Sequence, residues 1–338
     1  MARSGLGGSF GSSEARSEDA RFITGGGRYT DDVRFEHQAY AAFVRSPYAH
    51  ARIVSVDTAA AEAAPGVLKV LTGADYAASG LGPLICGWMG KNRDGSDQRA
   101  GLHLPLAPDV ARYVGDHVAV VVAESRSAAL DAAEQVCVDY DELAAVTDPR
   151  AALDSRAPVL HEVAPGNEVI DWELGNGADT AAALAGSAHV VELELYNNRV
   201  APNAMEPRAA NAHYDHTSGE FTLYLTTQNP FGMRTLLSAV VGIAPEHKLR
   251  VISPDVGGGF GSKAFNYAEE VVCLWAARET RRPVKWTAER GEAFLSDAHG
   301  REHYTRVRLG LDSEHRFTGL HVDTVANLGA YLSTFGTL

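Results

Sequence analysis

The chain has 338 residues, enough for about two domains with cores of their own. Hydrophobic residues at 45% and charged residues at 22% describe an ordinary soluble globular protein. A net charge of -13 with a pI near 5.4 argues against a general nucleic-acid or anionic-membrane binder, so any anionic ligand has to be held locally. The opening residues, Met1 to Phe10, lack the apolar core of a signal peptide, and no run approaches the ~18 apolar residues of a membrane span. Residues 1–18 read as a flexible Gly/Ser leader. Cys86, Cys137 and Cys273 are far apart and form no C-x-x-C pair. Neither a disulfide framework nor an iron–sulfur or zinc site is readable from them, and a reducing, cytoplasmic setting fits.

From Arg21 the chain carries a glycine turn, Gly25-Gly26-Gly27, and then polar loop residues to Asp32. Tyr40 to Val44 and Ile53 to Val56 read as strands around the loop Arg45-Ser46-Pro47-Tyr48-Ala49-His50, and Val67 to Leu71 as a third. Residues 77–101 are rich in Gly, Asp and Asn and read as an irregular excursion. His117 to Ala123 is almost wholly apolar and β-branched, which predicts a central strand buried on both faces. Ala129, Ala132, Ala133 and Val136 then follow helical spacing behind Ser125 as N-cap, and Val136 to Tyr140 returns to strand character. Strand, helix and strand make residues 19–148 a mixed α/β domain. Residues 149–186, with Pro158, Pro165 and a Gly/Asn/Asp cluster at 175–179, read as a linker.

A second domain over 187–338 opens with alternation. Val191, Leu193 and Leu195 share one face and Glu192, Glu194 and Tyr196 the other, and Phe221 to Leu225 repeats the pattern. That strand delivers Thr227-Gln228-Asn229-Pro230, with Pro230 suited to the first turn of a helix reaching about Val241. Lys248 to Ile252 is β-rich, Tyr267 to Glu279 is helical, and Val284 to Thr287, Val307 to Leu311 and 319–326 read as extended.

Between strand and helix lies Asp255-Val256-Gly257-Gly258-Gly259-Phe260-Gly261-Ser262-Lys263. Glycine opens dihedrals closed to other residues and lets backbone N–H groups approach a ligand, and a following helix start favours anionic oxygens. Ser262 before Lys263 rules out a P-loop, and no Gly stands where the dinucleotide fingerprint needs its last one. A ligand cradle and a tight structural turn both remain open.

Three other constellations carry a chemical and a bland meaning each. His299-Gly300-Arg301-Glu302-His303 matches H-x-x-E-H, a zinc peptidase pattern, but Gly300 and the strand alternation after Tyr304 favour loop histidines. Met205-Glu206-Pro207-Arg208 is a charged pair around a proline, blandly a turn with a surface ion pair. Gln228 could offer a neutral amide to a ligand or only satisfy nearby backbone.

Taken together, the ordered motifs resemble the large, molybdenum-cofactor-binding subunit of the xanthine dehydrogenase, aldehyde oxidase and carbon monoxide dehydrogenase family, from about Glu18 onward. The carriers are Arg21 to Gly25 with Arg28 to Asp32, Arg45 to Ala51, Tyr113 to Ala119, Met205 to Arg208, Gln228-Asn229-Pro230 and Gly257 to Lys263. The resemblance implies an α+β or mixed α/β chain: an α/β hammerhead domain, then the first part of the cofactor-binding region. It also implies a molybdopterin cofactor, as cytosine dinucleotide or mononucleotide, bound at Gly258, Gly259, Phe260 and Gly261. Gln228 is implied to donate to a molybdenum oxo group, with the metal held through the pterin dithiolene and no direct protein ligand.

By the same resemblance the reaction is water-dependent oxidation of an aldehyde, N-heterocycle or CO. Electrons leave through a 2Fe-2S small subunit and an FAD-binding medium subunit. The family's base glutamate lies near the C-terminus of considerably longer chains, and nothing in this sequence corresponds to it. A fragment, truncated frame or half of a split subunit is therefore expected, inactive without a C-terminal remainder. A non-catalytic scaffold half is the alternative. Ala264 stands where purine-oxidising relatives carry a glutamate, and Phe231 replaces a frequent histidine.

Overall fold

The computed structural model describes residues 15–336, so the expected leader lies outside the described residues as far as residue 14. In chain order the first half carries α1 (Asp19–Ile23), β1 (Ala39–Arg45), β2 (Ala51–Asp57), α2 (Ala59–Glu62), β3 (Val67–Thr72), α3 (Gly73–Ala78), β4 (Val110–Ala111), β5 (His117–Ala123), α4 (Arg126–Ala133) and β6 (Cys137–Glu142). Then come α5 (Pro149–Ala152), α6 (Gly177–Ala185), β7 (His189–Asn197), β8 (Ala209–Asp215), β9 (Glu220–Leu225), α7 (Pro230–Ala239), β10 (Leu249–Ile252), α8 (Ala268–Thr280), β11 (Val284–Thr287), α9 (Arg290–Ser296), β12 (His303–Leu311) and β13 (Phe317–Ala326). No helix among the described residues is long and apolar enough to cross a membrane.

The main sheet has seven strands in the order β10-β9-β8-β11-β1-β5-β3. It crosses from the C-terminal segment to the N-terminal one where β1 runs parallel to β11, with Ala39 opposite Val284. All seven residues of β5 are buried, as its unbroken apolar run requires of a strand covered on both faces. On one face Ala41, Phe43, Val120 and Val122 pack with α8, and on the other Ala42 and Ala123 pack against Ala129 of α4. Ala268 to Ala277 of α8 is buried on every side, not along one stripe, so this helix is the central rod of the molecule. Two smaller sheets have the orders β4-β2-β6 and β13-β12-β7.

Three expectations need correction. The linker at 149–186 contains α6, started by Asn176, whose side chain accepts the N–H of Asp179, so the polar cluster there is a helix cap. Strand β8 carries no strand signal in the sequence, because Ala209-Ala210-Asn211-Ala212 has little β-propensity, yet these four residues are buried beside β11 and α8. Helix α8 begins at Ala268 behind Tyr267, as expected, with a 3-10 turn at Ser262–Ala264 between it and the glycine loop, and the first turn of α8 carries the buried Glu269 and Glu270. Finally, His299 to His303 is not a helix: Arg301 and Glu302 have φ of 72° and 61°, His303 already opens β12, and Glu302 pairs with Arg199. The zinc reading fails on that geometry, and no group of three His, Cys, Asp or Glu among the described residues could hold a metal ion.

Candidate cofactor cradle

Strand β9 ends in the buried pair Thr226-Thr227, and the chain turns there because Asn229 caps α7, its side chain accepting the N–H of Gly232 at 3.0 Å. At that turn the backbone is stitched to the glycine loop. The Gln228 N–H and the Thr227 hydroxyl both donate to the Lys263 carbonyl, at 2.9 and 3.1 Å. The Gln228 side chain then lies along the loop, its Oε1 accepting the Gly261 N–H at 3.1 Å. A Cβ at Gly259 would stand 2.4 Å from Gln228 Cδ, so glycine is what allows this close approach.

Glu206 clamps the opposite side of the loop. Its Oε2 accepts the Gly257 N–H at 2.7 Å, and its own N–H donates to the Gly257 carbonyl at 3.2 Å. A Cβ at Gly257 would stand 2.5 Å from Glu206 Cβ. Lys263 Nζ donates to the Glu206 carbonyl at 2.8 Å and to Oε2 at 3.0 Å. Its side chain is buried, and burial lowers its pKa although Glu206 lies against it. This lysine is therefore an internal staple and does not reach a ligand as a P-loop lysine would. Glu206 Oε1, buried, has no partner.

The loop thus held keeps positive φ at Gly258 (102°), Phe260 (49°) and Gly261 (88°). Among the described residues no protein acceptor takes the N–H groups of Gly258, Gly259 or Phe260. These three amides and the Nε2 of Gln228 are neutral donors with open valence. Met205 and Phe260 on these segments, and Phe231 just after Gln228, are 90%, 73% and 76% exposed, leaving an apolar rim.

Upstream, Asp255 is gripped by Arg21 in a bidentate pair at 2.5 and 2.7 Å and by the Arg28 N–H at 2.7 Å. Arg21 and the Arg28 amide pull its carboxyl down to about 2. The first sequence motif is therefore a brace on the entry to the loop.

Below the loop the remaining motifs converge. Tyr267 donates its hydroxyl to the Ser262 carbonyl at 2.6 Å, and the Arg208 guanidinium lies 3.7 Å from the centre of its ring. Arg208 is buried, not on the surface beside Glu206. It forms a bidentate pair with Glu269 at 2.9 and 3.0 Å and reaches Asp297 at 2.6 Å. Glu269 also accepts from Arg45 at 3.0 Å and lies 3.0 Å from His117 Nε2. Arg45 reaches Glu292 and the Gly115 carbonyl. Burial would raise the Glu269 carboxyl, but Arg208, His117 and Arg45 hold it well below its usual value.

Sequence reasoning missed Glu269, although two adjacent carboxylates at the start of an otherwise apolar helix were a visible signal that buried cations would meet them.

Comparison with known proteins gives the family. Residues 160–338 match the model of the molybdopterin cofactor-binding domain, and residues 24–144 that of the aldehyde oxidase and xanthine dehydrogenase a/b hammerhead domain. The chain is 37% identical to the nicotine 6-hydroxylase large subunit of Paenarthrobacter nicotinovorans over 94% of its length and 38% of the relative's. It is also 37% identical to the carbon monoxide dehydrogenase large chain of Hydrogenophaga pseudoflava, over 93% of its length and 39% of the relative's. The crystal structure of quinoline 2-oxidoreductase from Pseudomonas putida 86 superposes with a TM-score of 0.84 at 38% identity, covering 96% of this chain and 40% of that one. The chain thus spans about two fifths of the length of these relatives. It spans 71% of a further one, the nicotinate dehydrogenase large molybdopterin subunit of Eubacterium barkeri, at 28% identity. With two family models side by side on its length and these relatives, the chain belongs to the molybdopterin-binding large-subunit family of xanthine dehydrogenase, aldehyde oxidase and carbon monoxide dehydrogenase.

Proposed function

We propose that this chain is the N-terminal portion of a molybdenum hydroxylase large subunit, and that its glycine loop holds the molybdopterin cofactor in cytosine dinucleotide or mononucleotide form. The observation that carries the reading is the meeting of Gln228 with the open amides of Gly258, Gly259 and Phe260 at one place in the fold. Oxo and phosphate oxygens are electron-rich, and neutral donors aimed in advance stabilise them without burying a counter-charge. When bound, the cofactor supplies two-electron oxidation with water as the oxygen source.

In this reading Gln228 donates from Nε2 to an oxo group on the metal, and the loop amides donate to neighbouring cofactor oxygens. Gly261, whose N–H is held by Gln228 Oε1, becomes a further donor when that side chain turns toward the ligand. Met205, Phe231 and Phe260 offer apolar surface to a small aldehyde, an N-heterocycle or CO. The base that takes up the proton is a glutamate on the remaining length of the subunit, so the chain is inactive alone. A 2Fe-2S small subunit and an FAD-binding medium subunit accept the electrons.

The test is to purify the chain together with the remaining length of the subunit and to measure molybdenum by mass spectrometry and pterin nucleotide by fluorescence. Stoichiometric metal is expected, and Gln228→Ala should lower occupancy roughly tenfold, as the loss of one hydrogen bond to a charged group would, and alter the Mo(V) resonance spectrum. Unchanged loading and spectrum in Gln228→Ala would refute the assigned contact. Absence of both molybdenum and pterin in the wild type would instead leave a scaffold half.

A further inference from the structure

The sheet β13-β12-β7 has one covered face and one bare face. On the covered face, Gly310 and Gly319 lie under α6, where an added Cβ would meet Leu184 and Ala183 at 3.1 and 3.2 Å. Arg150 of α5 sits 3.8 Å over the Tyr304 ring on the same side. Arg306 pairs there with Glu192, so this face carries the charges.

The register places two apolar rows on the other face. Leu193, Val307 and Val322 stand side by side across the three strands, and so do Val191, Leu309 and Leu320. On the outer strands these side chains are 52–57% exposed, and no helix or strand among the described residues covers them. Side chains of this kind at strict alternation belong to a face that packs against another layer. A contiguous apolar area of this extent marks an interface.

We propose that this bare face is the docking surface for the remaining length of the molybdopterin-binding subunit, which lays an apolar layer of its own across the two rows. The chain spans only 38% to 40% of the length of three relatives, so in them further polypeptide of the same subunit is available. A tethered segment competes at an effective concentration on the order of millimolar, which a second copy of the chain does not reach in dilute solution. In the Eubacterium barkeri subunit the covered share rises to 71%, so the region also occurs on a shorter polypeptide. The inference rests on length and on the sheet register, and stands whether or not Gln228 has the role given above.

The experiment co-expresses the tagged chain with the unmatched portion of the Hydrogenophaga large chain as a separate polypeptide. The readout is co-purification together with hydroxyl-radical labelling of Leu193 and Val322. Expected are co-purification, at least a fivefold drop in labelling of both side chains, and loss of both effects in Leu193→Asp/Val322→Asp. Asp323→Asn on the charged face should behave as wild type. The double variant alone should melt as the wild-type chain does, since its side chains leave no packed site. Absence of co-purification with the wild-type face overturns the proposal. So does co-purification with undiminished labelling, or a wild-type dimer in sedimentation that the double variant dissolves, which would assign the face to a second copy.

Discussion

Arg208 and Glu269 set the character of the interior. A buried ion pair is costly to desolvate and holds only when both partners and their hydrogen bonds are present. Here two arginines, Arg45 and Arg208, share one carboxylate, and Asp297 and Glu292 complete their hydrogen bonding. Arg208→Met should therefore lower unfolding stability by about 3–5 kcal/mol in urea titration, because Glu269 and Asp297 lose their main cation. The combined variant Arg208→Met/Glu269→Gln should lose less than the two single losses added. Glu270, next in the chain, behaves in the opposite way. Burial, which Arg208 only partly offsets, raises its carboxyl to about 8. A carboxyl whose folded pKa is raised favours the fold below its unfolded value of 4.5, and that contribution is lost as pH rises through about 8. Melting temperature should fall over this window, and Glu270→Gln should flatten the fall. An unchanged slope in the variant would place the titration elsewhere.

At the scale of elements, β9, α7 and the glycine loop form a unit in which each end fixes the next. Asn229 was legible as part of a motif and Pro230 as a helix start, and the structure adds that Asn229 caps α7 while Gln228 turns onto the loop. Asn229→Ala should cost about 1 kcal/mol of stability from the lost cap. It should also loosen the Gln228 contact, seen as faster amide exchange at Gly261, and exchange unchanged at Gly261 would show that the cap and the contact are independent. Gly257→Ala should cost about 1–3 kcal/mol in the same titration, because its Cβ meets Glu206 on a segment pinned by Lys263. Strands with an apolar run or clean alternation, such as β5 and β7, were legible because those patterns are local. Strand β8 was not, since its alanines gain their strand character only from β11, β9 and α8 around them.

Across the whole molecule, the seam between β1 and β11 joins segments more than 200 residues apart into one sheet. Ala39 donates to the Pro283 carbonyl at 2.7 Å, and Lys285, buried, reaches the Asp31 carbonyl at 2.7 Å across the same seam. With α8 packed beneath both sides, the N-terminal and C-terminal segments should unfold together. Urea transitions followed by tryptophan fluorescence and by far-ultraviolet circular dichroism are expected to coincide, and two separated transitions would show that the segments fold independently.

The sequence by itself determined the order of most strands and helices, the family and the chemical character of the loop. The elements follow from residue type and spacing along the chain, and the family from the resemblance carried by its ordered motifs. Only the tertiary structure decided what each motif does. Arg45, His117 and Arg208 looked like separate family marks, yet they meet at Glu269. Lys263 closes the glycine motif in the sequence, and the fold turns it inward to Glu206. A charge declares its type in the sequence, but its partner is chosen by which distant segments the packed sheet brings within hydrogen-bonding reach, and local pattern carries no record of that choice.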